Sequence, residues 1–71
     1  MGNLDRVARH RRAAATHERA AECHGAAAAF WADHDDEPRA ELERRNARIE
    51  SDAAELERDR AEIEAARGDA G

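Results

Sequence analysis

Lysine and tyrosine are absent from this 71-residue chain, and proline, cysteine, serine, phenylalanine and tryptophan each occur once. A lone cysteine, Cys23, makes no internal disulfide, which excludes a stapled secreted mini-protein and fits a reducing compartment. The longest apolar run, Ala26 to Ala32, falls far short of the roughly 20 residues that span a bilayer, so no transmembrane helix and no membrane partner are expected. No apolar segment follows the first charges, and Arg6 stands where a myristoylation signal wants Ser or Thr, so the expected location is cytoplasmic. Ser51 is the only serine, no glycine-rich phosphate loop exists, and Cys23 has no base three or four residues away. The expectation is therefore a non-enzymatic protein without a cofactor. Large apolar groups are scarce too: of the 41% hydrophobic residues 19 are alanine, leaving Met1, Leu4, Val7, Cys23, Phe30, Trp31, Leu42, Ile49, Leu56 and Ile63.

What is present is Ala, Glu and Arg in quantity, the composition of long helices and coiled coils. The chain divides into two blocks of four gapless heptads. Arg6 to Asp33 reads RVARHRR, AAATHER, AAECHGA, AAAFWAD. Arg39 to Ala66 reads RAELERR, NARIESD, AAELERD, RAEIEAA. In the first block Val7, Ala14, Ala21 and Ala28 form one column and His10, His17, His24 and Trp31 another, three residues later. In the second block Ala40, Ala47, Ala54 and Ala61 are followed by Leu42, Ile49, Leu56 and Ile63, and each of these by a glutamate, Glu43, Glu50, Glu57 or Glu64.

Spacings of three and four place both columns of the first block on one helical face, the seam of a left-handed supercoil. The spacing predicts an all-α, antiparallel two-helix hairpin, with helices over about 4–33 and 38–67 and a turn at 34–38. Asn3 or Asp5 would cap the first helix, Asp36 the second with Glu37 and Pro38 in its first turn, and Gly68 would end it. The expected seam joins Val7, His10, Ala14, His17, Ala21, His24, Ala28 and Trp31 to Leu42, Ile49, Leu56 and Ile63. In that register His10 lies level with Ile63, His17 with Leu56, His24 with Ile49 and Trp31 with Leu42, about a centre between Asp36 and Glu37. So few large groups do not support a two-helix pair alone. A homo-oligomer, with a dimeric four-helix bundle favoured, is expected, and the Ala columns at 13, 20, 27 and 40, 47, 54, 61 would let further helices approach.

Three groups of residues invite a functional reading. The His10, His17, His24 ladder would bind zinc or another divalent transition metal only between helices or subunits. Seven residues separate neighbouring histidines by roughly 10.5 Å, whereas ligands on one helix must stand three or four residues apart. Glu18 with Glu22 near His17, and His34 with Glu37 at the turn, are the other candidate ligand pairs. The simpler expectation is a half-buried seam histidine bonded to a glutamate of the facing helix. In that setting acid loosens the pairing unless Glu43, Glu50, Glu57 or Glu64 stabilises the imidazolium. Arg6, Arg9, Arg11 and Arg12 form a basic patch, but Glu57, Glu62 and Glu64 would lie beside it, and without a nucleic-acid module DNA or RNA is not the expected partner. Phe30 and Trp31 would plug the turn end against Leu42 or, with Arg6, Arg9 and Arg12, contact an unidentified protein partner.

The run HERAAECHGAAAAFWADHDD, from His17 to Asp36, resembles short Ala-, His- and Arg-rich heptad-repeat proteins of high-GC actinobacteria. It covers about a third of the chain, and it implies no activity, cofactor or residue role. The function expected from the residues is that of a self-associating interaction or scaffold module. A metal- or cofactor-binding bundle is the alternative and a nucleic-acid-associated protein the weaker one.

Overall fold

Alanine is the strongest helix former, and Glu and Arg cost little helical entropy, so both heptad blocks propagate helix without interruption. In a computed structural model that describes residues 2–70, with side chains through Gly68, α1 spans Gly2–Asp33 and α2 spans Glu37–Ala70. They are the only regular elements among the described residues, and they pack on each other antiparallel. The hairpin is a rod of 55 × 13 × 10 Å.

Only His34, Asp35 and Asp36 lie between the helices. The Asp36 amide donates to the Trp31 carbonyl at 2.9 Å and the Asp35 amide to that of Ala32 at 3.2 Å, a Schellman closure with Asp35 in the left-handed region at φ 58°. Asp36 then caps α2: its Oδ1 accepts the Arg39 amide at 3.1 Å, and Oδ2 lies 3.5 Å from the Arg39 guanidinium. Pro38 sits in the first turn, where its missing N–H costs nothing. At the far end two expected caps take other roles. Asn3 lies within α1, where its Nδ2 donates to the Glu64 carbonyl at 2.8 Å. Gly68 does not end α2; a Cβ there would lie 3.3 Å from that of Asn3, so the glycine makes room for this cross-helix contact.

The seam differs from the expected one in its second helix. Val7, Ala14 and Ala28 of α1 are buried against Ala40, Ala54 and Ala61 of α2, with Ala21 and Ala47 half-buried. Leu42, Ile49, Leu56 and Ile63 are instead 56, 63, 50 and 52% exposed. Thus the Ala column, two residues and roughly 160° round the helix from the Leu/Ile column, faces α1 in its place. Its Ala column, expected to meet further helices, belongs to the intramolecular seam. Two Cα cylinders of about 2.3 Å radius within a 13 Å width leave about 8 Å between axes, the short end of the normal range. Facing alanines permit that approach and leucines would not. The centre of pairing accordingly lies at Asp33 and His34.

Three substitutions check this geometry by thermal or urea melting at fixed protein concentration. Asp36→Ala is expected to lose about 1 kcal/mol with the cap, while Asp35→Gly gains up to about 1 kcal/mol by relieving the left-handed residue. Ala54→Leu is expected to cost about 1–3 kcal/mol by forcing the helices apart. A neutral Ala54→Leu would restore the leucine seam.

Candidate functional site

Rotating α2 so that alanines face α1 brings the next residues on that side, the glutamates, under the histidines. Nδ1 of His10 lies 2.8 Å from Glu57 Oε2, that of His17 3.2 Å from Glu50 Oε1, and that of His24 2.9 Å from Glu43 Oε2. Asn3 continues the series onto Glu64. An ionised carboxylate only accepts, so each bonded Nδ1 donates, and Nε2 is the ring nitrogen not engaged by the glutamate. The three histidine side chains are 30–36% exposed. This is the half-buried pairing with a facing glutamate, repeated once per heptad.

The glutamates differ in their second neighbours. Glu57 is also held by Arg60, and both contacts keep its carboxyl below the ordinary value of 4.5, with the His10 hydrogen bond the larger cause. Glu64 lies 3.8 Å from Arg6 and 3.4 Å from Arg67. Arg6, Arg9, His10, Ala13 and Glu57 line one shallow groove, so the open end of the ladder is basic. Towards the turn, Glu50 and Glu43 form no ion pair with arginine among the described residues.

The other candidate ligands are placed elsewhere. Glu18 pairs with Arg58 across the opposite side of the hairpin, and Glu37 pairs with Arg44 at 2.8 Å. His34 donates from Nδ1 to the Phe30 carbonyl at 2.7 Å and stacks on the Phe30 ring at 4.1 Å. Among the described residues no three His, Cys, Asp or Glu side chains converge on one point, so a single chain holds no complete metal site there. Cys23 is free and exposed. Of the partner-contact candidates, Arg6 reaches Glu64, while Arg9 and Arg12 are exposed. Phe30 is half-exposed and meets Trp31 edge-on at 5.1 Å, and the Arg39 guanidinium covers the indole at 4.6 Å. Trp31 is therefore capped by Arg39, and Leu42, expected beside it, faces outward.

Passing round α2 from the Ala column by way of the glutamates, one meets Asn46 and Ala53 and then the Leu/Ile column. Passing round α1 from its Ala column by way of the histidines, one meets Ala13, Ala20 and Ala27, then Thr16, Cys23 and Phe30. These rows form one broad face about the ladder, and between Ala13 and Phe30 and between Leu42 and Leu56 its only formal charges are the His–Glu pairs. The opposite face carries Arg11, Glu18, Arg58 and Glu62 along one groove. Sequence reasoning missed the exposure of the aliphatic column; the signal was the unbroken Ala column two residues before it. Comparison with family models, curated proteins and solved structures finds no match.

A carboxyl held low in the folded state contributes stability above its unfolded pKa and loses it as pH falls through the lower folded value. Glu57→Gln is therefore expected to shrink the fall in melting temperature between pH 6 and pH 3. An undiminished fall would assign the acid sensitivity to other carboxylates.

Proposed function

We propose that this chain is a non-enzymatic, self-associating helical hairpin that serves as an interaction or scaffold module, its ladder face docking on that of a second copy to form a four-helix bundle. The observation that carries the reading is the exposed column Leu42, Ile49, Leu56 and Ile63, four large aliphatics at heptad spacing along about 30 Å of α2. Scattered exposed apolar residues are ordinary, but a continuous stripe marks a contact surface.

Area and shape favour a second copy as the occupant. The chain exposes 5182 Å², whereas a compact monomer of 7.9 kDa exposes about 4,400 Å². The excess, about 800 Å², is one partner's share of a standard interface. A two-fold axis parallel to the helices lays α2 of each copy over α1 of the other. Leu56, Ile49 and Leu42 then fall near the levels of Ala13, Ala20 and Ala27, large groups over small ones. A perpendicular axis would set leucine against leucine and alanine against alanine, which packs unevenly.

Sedimentation equilibrium tests this reading. The chain is expected to be dimeric at about 100 μM with a melting temperature that rises with concentration. Replacing Leu42, Ile49, Leu56 and Ile63 with Gln is expected to abolish the dimer and, with it, part of the helicity. A parent chain that stays monomeric, or a quadruple variant that still dimerises, would overturn the proposal.

A further inference from the structure

We infer that the His17–Glu50 and His24–Glu43 pairs are half-sites for a divalent transition-metal cation of the zinc class, completed when two copies bring the same pairs together. The inference rests on the self-association proposed above.

The chemistry starts from the bonded nitrogen. Metal-ligating histidines commonly donate their other ring N–H to a carboxylate, which fixes the tautomer and raises the basicity of the free nitrogen. Here the carboxylate already holds Nδ1 in both rings, at 3.2 Å in His17 and 2.9 Å in His24, so Nε2 is the available ligand. One chain supplies too few ligands at either level, in keeping with the absence of a converging group among its described residues. The parallel two-fold axis preserves level, so the two copies of His17 meet across it, as do those of His24. Two imidazoles then face one ion, with water or the second oxygens of the flanking glutamates filling a tetrahedral set.

Charge points the same way. Two copies bring two carboxylates, Glu50 or Glu43 from each, together at each level, and this concentration of negative charge opposes docking. One divalent cation per level balances it. The His10–Glu57 level differs, because Arg6 and Arg9 line its groove and Arg60 pairs with its glutamate, and that positive field repels a cation. The ladder therefore holds two sites per dimer, at His17 and His24, and not three.

Native mass spectrometry and sedimentation of reduced, metal-free protein with and without zinc chloride test this. The expected result is two zinc ions per dimer and at least a tenfold tighter dimer. His17→Gln with His24→Gln keeps a donor for each glutamate but removes the ligands; this double variant is expected to retain its helicity and dimerise without metal, yet take up no zinc. His10→Gln is expected to take up two ions like the parent. A dimer that binds no zinc, or equal uptake by the double variant, which retains Cys23 and His34, would overturn the metal site alone. A chain monomeric with and without zinc would instead remove the self-association on which the site rests.

Discussion

Everything in this hairpin follows from how closely two helices can approach when their facing column is alanine. At about 8 Å between axes there is no room for a leucine in the seam, so the larger groups of both helices must stand to its sides. Histidine and glutamate occupy one side. The aliphatic column is carried further round α2, into solvent. Among the described residues a hydrophobic core in the usual sense is therefore missing: those buried are Val7 and five alanines.

The ladder answers a second constraint, that polar groups removed from water need partners. Each imidazole at the edge of the seam finds its carboxylate once per heptad, and no buried side-chain polar atom among the described residues lacks a partner. These pairs fix the rotation of α2 in a way that alanine alone, small and featureless, would not. The pairing thus specifies orientation more than it adds stability, because the groups are partly exposed and screened.

Much of this was legible in the residues. Heptad columns gave the two helices, Asp36 and Pro38 gave the start of α2, and the half-buried histidine with a glutamate partner followed from the ladder's setting. The rotation of α2 was not legible, because a habitual preference for burying Leu and Ile competes with the distance that Ala permits. In a chain with more large groups that preference would decide the seam; here every Leu and Ile of α2 has an alanine two positions before it, and the close approach prevails. The proposed self-association and metal site would lie on surfaces that meet between molecules, which a pattern along one chain encodes weakly.

The turn carries a consequence of its own. Because the heptads repeat, sliding α2 along α1 by seven residues would bring His17 to Glu57 and His24 to Glu50 with nearly the same contacts, and the seam by itself does not distinguish these alignments. Three residues between the helices leave no slack for such a slide, and the carbonyls of Trp31 and Ala32 are already taken by Asp36 and Asp35. The connection thus acts as a ruler: a short non-repetitive segment that selects one alignment from several of almost equal energy, and so gives a periodic sequence a single structure.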